Sequence, residues 1–445
     1  MRIIGYIAKF SRLHFRRLLG DLARLTSDAR KVSAGWAKIF LFLRYRQDDF
    51  MSQAPIVYPL ATSTWDAAEY DALQKVIQSG RFTMGPKVKS FEEQFAHFMG
   101  SKYAVMVNSG SSANLAGMAA AFYAPDFRLS PGDEVIVPAV SWATTYYPIS
   151  QMGLVPVLVD VDLDTLNIST HRVREAITPR TRAIFSVNLL GNPADYSELK
   201  KICDEHGILL FEDNCESMGA TINGKQTGTF GCFGTYSSFF SHHISTMEGG
   251  IVVTDDEFLY QAMLSIRAHG WTRELPERNL VHDKTGDPFK DLFRFVLPGY
   301  NLRPLEMEGA LGIEQLKKLP SLVEGRQRNA EVFLSLFADM PNIRTQKVAL
   351  DAKSSWFGFS MILEGALAGR RDEVVHSLTA AGIECRPIVA GNFANNPVMA
   401  KINAKVSGSL TAAELIDSNG LFVGNHHYPI ADEIALLRDV IASYN

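Results

Sequence analysis

The chain has 445 residues, 47% of them hydrophobic, which is enough for two or three globular domains. Its formal net charge of −4 gives no general basic field, so charge does not indicate a nucleic-acid partner. The four cysteines are too few and too scattered for a disulfide framework or an iron–sulfur site, and we expect free thiols in a reducing cytoplasm.

The first fifty residues differ in charge from the rest of the chain. They carry a net charge of +7, which leaves −11 for the remainder. Their apolar stretch at 37–43 is far shorter than the roughly 20 residues that a bilayer span needs. We therefore expect residues 1–54 to form a basic extension, disordered or helical, with a surface-lying amphipathic helix as the alternative. Met51 looks like a natural enzyme start.

From Tyr58 onward, short apolar runs alternate with helical patterns, which is typical of parallel βαβ units. A large domain at 55–310 and a smaller C-terminal α/β domain at 311–445 fit this pattern. The predicted strands are 103–107, 134–137, 155–159, 183–187, 208–212 and 250–253, the last antiparallel or at an edge. The predicted helices are 114–123, 197–205, 306–316 continuing through 322–337, 372–380 and a closing helix from 431.

The segment VNSGSSAN lies between a predicted strand and a predicted helix. A glycine at such a turn lets backbone approach a ligand, and a helix amino end offers N–H groups to an anion. Gly110 and Ser111 are therefore candidates for holding a phosphate. An ordinary capped turn explains the segment equally well.

Two further strand ends carry residues suited to a ligand site, since ligands of open α/β sheets lie beyond the carboxyl ends of strands. Trp142 follows the strand that ends at Val137 and could stack on a planar cofactor, although a core position is the alternative. Asp213 follows a fully apolar strand, where a buried carboxylate needs a positive or protonated partner, or else caps a helix. Glu216 lies one turn further and could orient groups above it.

The segment TYSSFFSHHISTMEGGIVVTDD, together with the stretch from Tyr58 to about Leu437, resembles the sugar aminotransferase (DegT/DnrJ/EryC1/StrS) family. The resemblance implies the type I fold of aminotransferases that use pyridoxal phosphate. In that family a Ser-Phe pair precedes the lysine that binds the cofactor, and an acidic residue with two glycines follows it. Counting back six residues from Glu248 places the lysine position at His242.

A histidine at this position predicts a different reaction. Imidazole cannot tether the cofactor, but it moves protons near neutral pH. The resemblance, including the runs RAHGWTR, GYNLRP and SSWFGFS, extends to family members that remove the C3 hydroxyl of a GDP-linked 4-keto-6-deoxy sugar. It implies non-covalent pyridoxal or pyridoxamine phosphate, His242 as acid and base, and L-glutamate as the amine donor.

The resemblance also assigns binding residues and a quaternary structure. Ser237 would join Ser111 at the phosphate, Asp213 would meet the ring nitrogen and Trp142 would cover the ring. A homodimer is implied, with some groups supplied by the partner subunit. The residues expected to face the cofactor phosphate, the sugar nucleotide or glutamate are Asn301, His269, Arg273, Arg303 and Arg386.

Three other functions remain open, namely an ordinary sugar aminotransferase, a CDP-linked 3-dehydrase and a non-catalytic relative that binds the cofactor. The missing lysine argues against the first. The second uses a cysteine-bound iron–sulfur cluster and a reductase, and here Cys232 precedes the histidine region while Cys385 stands alone. The pairs His242-His243 and His426-His427 lack a nearby third ligand, so we expect no metal.

Overall fold

The computed structural model describes residues 55–444. The expectations for residues 1–54, namely a basic extension, a surface helix and a start at Met51, lie outside that range. A compact unit begins at Ile56. The division into two domains at residue 310 stays a prediction.

An eight-stranded sheet forms the centre of the molecule, in the order β1-β9-β8-β5-β4-β2-β3-β14. The neighbours from β8 to β14 pair in parallel, whereas β9 pairs antiparallel with both β8 and β1. Its strands are β1 (Tyr103–Val107), β2 (Glu134–Pro138), β3 (Val155–Val159), β4 (Thr181–Val187), β5 (Leu209–Asp213), β8 (Phe233–Ser237), β9 (Gly250–Thr254) and β14 (Lys405–Val406). The α/β class with a mostly parallel sheet is confirmed.

All six predicted strands are present, with ends that differ by at most two residues. The strand β9 is antiparallel as predicted but lies inside the sheet, and β1 takes the edge. The strand β8 was not predicted. Its sequence, FGTYS, is fully buried but has no continuous apolar run, because its polar side chains find hydrogen-bond partners in the core.

Helices cover the sheet and follow most of the parallel strands. They are α1 (Ala67–Ser79), α2 (Pro86–Met99), α3 (Gly110–Tyr123), α4 (Ala143–Gln151), α5 (Thr170–Ala176), α6 (Tyr196–His206), α7 (Glu257–Ile266), α8 (Pro288–Asp291), α9 (Glu306–Phe337), α10 (Arg371–Ala380), α11 (Thr411–Asn419) and α12 (Ala431–Ala442). Short 3-10 turns lie at Leu189–Gly191, Gly365–Leu367, Phe393–Asn395 and Pro397–Lys401. Within 55–444, no helix is long and apolar enough to cross a membrane.

The helix α9 runs unbroken for 32 residues through Pro320, as the predicted helical stretch from 306 continuing through 337 indicated. Proline removes one backbone donor, and interior positions normally break a helix. Here Leu319 and Leu322 are buried on either side of Pro320, so packing holds the two halves together.

Two smaller sheets complete the described fold. Four strands pair antiparallel in the order β10-β12-β15-β13, over a core that contains Phe333 and Phe359. The third sheet has the order β11-β6-β7. These strands are β6 (Thr221–Ile222), β7 (Lys225–Gln226), β10 (Ile343–Thr345), β11 (Ala352–Lys353), β12 (Gly358–Leu363), β13 (Cys385–Arg386) and β15 (Gly420–Gly424).

Candidate active site

A cavity of about 410 Å³ lies where the parallel strands of the large sheet end. Side chains that follow β2, β5 and β8 meet there because parallel strands bring their carboxyl ends to one edge. Eight of the residues singled out in the sequence line this cavity: Gly110, Ser111, Trp142, Asp213, Glu216, Ser237, His242 and Arg386.

Asp213, the last residue of β5, is buried and accepts three hydrogen bonds. Its Oδ2 accepts from the amide of Asn114 and from the hydroxyl of Thr145, both at 2.8 Å. Its Oδ1 accepts from the backbone N–H of Cys215 at 3.1 Å. Among residues 55–444 no lysine or arginine forms an ion pair with it. The carboxylate is thus held rigidly at the cavity wall and can meet a protonated ligand atom.

Glu216 and Cys215 stand beside Asp213, and both have raised pKa values. Burial and the charge of Asp213 raise the pKa of Glu216 to about 7, while its Oε2 accepts from the N–H of Leu190 at 3.0 Å. Burial and the same aspartate hold the pKa of the Cys215 thiol well above its usual range. The thiol is therefore a poor nucleophile, and Glu216 can exchange a proton near neutral pH.

The amino end of α3 forms another wall. The side chain of Ser109 caps the helix by accepting from the N–H of Ser112 at 3.1 Å, and the N–H of Ala113 donates to the Ser109 carbonyl. Gly110 lies so close to β8 that a Cβ there would come within 2.6 Å of the Ser237 Cβ. The amino end of α3 and the hydroxyl of Ser237 therefore lie close together, as a site for an anion requires.

Trp142 precedes α4 and presents its indole to the cavity. Its side chain is 60% exposed, which excludes the core position left open by the sequence. An indole exposed at a cavity wall offers a flat apolar face to a ring-shaped ligand.

His242 faces the cavity from the segment after β8. Its ring packs against Phe357 and Phe239, with ring centroids 5.1 and 6.0 Å away. Its Nδ1 is buried and has no hydrogen-bond partner among the described residues. Burial and the charge of Arg326 lower the pKa of His242 to about 4, so the imidazole is neutral at pH 7.

The neighbouring histidines have structural partners. His243 is buried and its Nε2 lies 3.0 Å from the carbonyl of Ser355, as expected for a packing residue. His426 contacts the carbonyl of Pro59 and the hydroxyl of Thr62. No cluster of three or more histidines, cysteines or carboxylates within the described residues could hold a metal.

These residues fit a phosphorylated aromatic cofactor. The unpaired carboxylate of Asp213 suits a protonated ring nitrogen, the α3 amino end and Ser237 suit a phosphate, and Trp142 suits the ring face. The buried Nδ1 of His242 has no hydrogen-bond partner among the described residues. It is therefore able to bind a polar group of a ligand in the cavity. No lysine lines the cavity in the part of the chain that the structure describes.

Four predicted residues lie outside this cavity within one chain. Arg303 donates from Nε to Asn301 Oδ1 at 3.1 Å, and its guanidinium lies 6.0 Å from the ring centroid of Trp271. The ring of His269 also packs on Trp271. Arg273 lines a separate surface cavity. A single chain therefore does not bring these residues together with His242.

The cavity also contains residues that the sequence did not assign to the site, including Phe239, Glu248, Phe357 and Cys215. Glu248 was quoted only as the acidic residue of the family pattern, and Phe357 only as part of SSWFGFS. Phe357, which precedes β12, reaches the cavity from a part of the chain distant in sequence from β2, β5 and β8, and no local pattern predicts such a contact.

Comparisons with known proteins agree with this geometry. A model of the DegT/DnrJ/EryC1/StrS aminotransferase family matches residues 63–435. A GDP-4-keto-6-deoxy-D-mannose 3-dehydratase of Escherichia coli O55:H7 is 56% identical over 388 residues, covering 87% of this chain and 100% of the relative.

Two solved structures are similar over nearly the same range. The E. coli GDP-4-keto-6-deoxy-D-mannose-3-dehydratase with bound hydrated PLP has a TM-score of 0.85 and 56% identity, covering 87% of this chain and 100% of the other. A GDP-4-keto-6-deoxymannose-3-dehydratase with a trapped PLP-glutamate geminal diamine has a TM-score of 0.84 and 55% identity, covering 86% and 99%.

Proposed function

Since this chain belongs to the DegT/DnrJ/EryC1/StrS aminotransferase family, we propose that it is a 3-dehydratase of GDP-4-keto-6-deoxy-D-mannose, a lyase dependent on pyridoxal phosphate. It removes the C3 hydroxyl and leaves a 3-deoxy-4-keto sugar nucleotide. The observation that carries the proposal is His242, which stands in a cavity that has a cofactor wall but, among residues 55–444, no lysine.

The walls of the cavity would hold the cofactor without a covalent bond. Gly110, Ser111 and Ser237 would take the phosphate, Asp213 the ring nitrogen and Trp142 the ring face. Bound pyridoxamine phosphate supplies an amine for the C4 ketone and an electron sink for breaking the C3–O bond. Glu216, with its pKa raised to about 7, would hold a proton beside Asp213.

His242 would carry the protons of the elimination. With its pKa lowered to about 4, the imidazole is neutral and can accept a proton at physiological pH. Once charged, it is a better proton donor than an ordinary imidazolium, and it can give that proton to the departing C3 hydroxyl. One side chain thus serves as base and then as acid.

Glutamate closes the reaction cycle. Overall, the keto-sugar and L-glutamate give the 3-deoxy keto-sugar, 2-oxoglutarate and ammonia, and this equation balances without added water. Glutamate is oxidised by two electrons while C3 of the sugar is reduced. Arg386, which lines the cavity, would bind a glutamate carboxylate.

We further propose a cytoplasmic homodimer with composite sites. Asn301, His269, Arg273 and Arg303 lie away from His242 of their own chain, and would reach the partner's cavity to bind the sugar nucleotide. The aromatic residues near Trp271 support an interface, since Phe293 and Phe295 are 67% and 56% exposed.

The test is an assay of the purified protein with GDP- and CDP-linked 4-keto-6-deoxy sugars, pyridoxamine phosphate and glutamate. We expect ammonia and 2-oxoglutarate in equal amounts with the GDP-linked substrate, and far less with the CDP-linked one. A stable amino sugar and no free ammonia would instead identify an aminotransferase.

A further inference from the structure

The segment 354–357, from the motif SSWFGFS, is fixed by four consecutive side-chain hydrogen bonds. The carbonyls of Ser354, Ser355, Trp356 and Phe357 accept bonds of 2.9–3.0 Å. The four donors, in the same order, are Gln327, His243, Asn425 and Arg326. Trp356 has a φ of 48°, a left-handed conformation that a non-glycine residue adopts only where its surroundings enforce it.

The backbone of this segment also reaches the cofactor wall. The N–H of Phe357 donates to the carbonyl of Leu190 at 3.0 Å, and the N–H of Leu190 donates to Glu216. The ring of Phe357 projects into the cavity and packs on His242. Any displacement of this backbone therefore moves the surface that supports the imidazole.

Arg326 is the one charged donor among the four, and it is buried. One of its terminal nitrogens donates to the carbonyls of Phe357 and Asn425, at 3.0 and 2.6 Å. Its Nε has no partner, and no carboxylate pairs with it within 55–444. A buried cation without a counterion is costly, and this cost points to a functional reason for keeping it.

We propose that Arg326 is a positioning residue for His242. It fixes the Phe357 ring against the imidazole, and its unpaired charge disfavours a second positive charge there, so that His242 starts each cycle as a neutral base. The inference rests on the proposed role of His242.

Several other charged or titratable groups surround His242. Asp213, Cys215 and Glu216 face the same cavity from the end of β5, Glu248 from the loop before β9, and Arg386 from β13. His243 adjoins it, and its pKa is held well below the usual range by burial and Arg326. Among the charges, that of Arg326 contributes most to lowering the pKa of His242, after burial itself.

The test measures the titration of His242 by NMR of ¹³C-histidine-labelled full-length protein, with and without pyridoxamine phosphate. The spectrum of His242→Asn assigns the signal. In the wild type we expect a midpoint about two units below that of an exposed histidine, and a wild-type midpoint near 6.5 would overturn the inference without any Arg326 variant.

Two substitutions then separate charge from packing. In Arg326→Gln, which keeps an N–H donor but loses the charge, we expect the midpoint and the acid limb of the pH–rate profile to rise by about one unit. Arg326→Lys, which retains the charge, should restore most of the shift. Arg328→Gln is the matched control, since Arg328 is on the same helix, is exposed and pairs with Glu324.

The outcomes distinguish the inference from the proposed function. A uniform loss of rate at every pH, with an unmoved midpoint, would reduce Arg326 to a structural residue and overturn the inference. A raised NMR midpoint with an unmoved acid limb would support the coupling of Arg326 to His242 but contradict the role of His242 as base.

Discussion

At the scale of single residues, the proposed reaction depends on an imidazole in place of an amine. A neutral His242 beside a wall that fits the cofactor can move protons but cannot form the bond that anchors the cofactor in a transaminase. We assign its neighbours Asp213 and Glu216 to cofactor binding, with Glu216 holding its proton beside Asp213 rather than passing it to the sugar. Substitutions can therefore separate the effect on the proton-transfer step from the effect on cofactor binding.

We expect His242→Asn to lower the rate of dehydration by about 10²–10⁴-fold, the usual contribution of a general acid–base group. Asparagine is close in size and keeps a polar atom in the cavity, so the affinity for pyridoxamine phosphate should change little. Rates of ammonia release and cofactor titration by absorbance measure the two effects. A variant that dehydrates at nearly the normal rate would remove His242 from the mechanism.

The sequence indicated this part of the site well. Asp213 was identified because an acid at the end of a buried strand needs a partner, and His242 because it breaks a family pattern. Phe357 and Arg326 were not identified. Their role depends on how β12 and α9 pack beside β8, and such long-range packing has no local sequence signal.

At the scale of elements, the site is a junction between the amino end of α3 and the ends of parallel strands. The sequence predicted most of these strands because each is a buried apolar run. It missed β8, whose polar residues are satisfied by partners distant in sequence, but it predicted that the helical stretch of α9 continues past Pro320.

Substitution at Gly110 tests the junction of α3 with β8. In Gly110→Ala the added methyl would meet the Ser237 Cβ at 2.6 Å, which must separate the helix end from the serine hydroxyl. We expect the Kd for pyridoxamine phosphate to rise by roughly 10-fold or more, the effect of losing ~1.4 kcal/mol. Titration of cofactor absorbance gives that Kd.

The control is Gly117→Ala on the same helix. Its methyl would also be crowded, 2.6 Å from the Phe233 ring, but Gly117 does not line the cavity. We expect a lower melting temperature with an unchanged Kd. Equal loss of affinity in both variants would mean that general destabilisation of α3, rather than the phosphate wall, explains the result.

At the scale of the whole molecule, the residues proposed for substrate binding are divided between two regions of one chain. We expect co-expressed His242→Asn and Arg303→Ala chains to form hybrid dimers in which one site carries both lesions and the other none. If sites are composite, we expect the isolated hybrid to have about half of wild-type activity, since one of its two sites carries no lesion. Purification through two different tags isolates the hybrid for the rate measurement.

The control for this hybrid pairs His242→Asn with Asp213→Asn. Both residues line the cavity of one chain, so every site in that hybrid carries one lesion and no activity should return. Equal recovery in both hybrids, or none in either, would contradict sites that share Arg303 across the interface.

Buried carboxyls also give the molecule a characteristic dependence of stability on pH. Burial and the charge of Glu248 raise the pKa of Glu308 to about 7, and Glu212 and Glu216 have similar values. A glutamate whose pKa is higher in the folded protein than its ordinary 4.5 favours folding below pH 4.5 and loses that contribution as the pH rises to 7. The lowered pKa of His242 has the opposite effect on stability, because its contribution to the free energy of unfolding increases as the pH rises from 4 to 6.5.

Glu308→Gln isolates one of these carboxyls. The amide oxygen can still accept from the N–H of Leu305, as the carboxylate does at 2.9 Å, but it cannot titrate. The variant should therefore gain stability relative to the wild type as the pH rises from 5 to 7.5, by at most about 3 kcal/mol. Because both proteins contain the same histidines, the opposing contribution of His242 cancels in the difference between their melting temperatures. A difference that stays constant with pH for Glu308→Gln would mean that Glu308 is ionised throughout this range and would contradict the raised pKa.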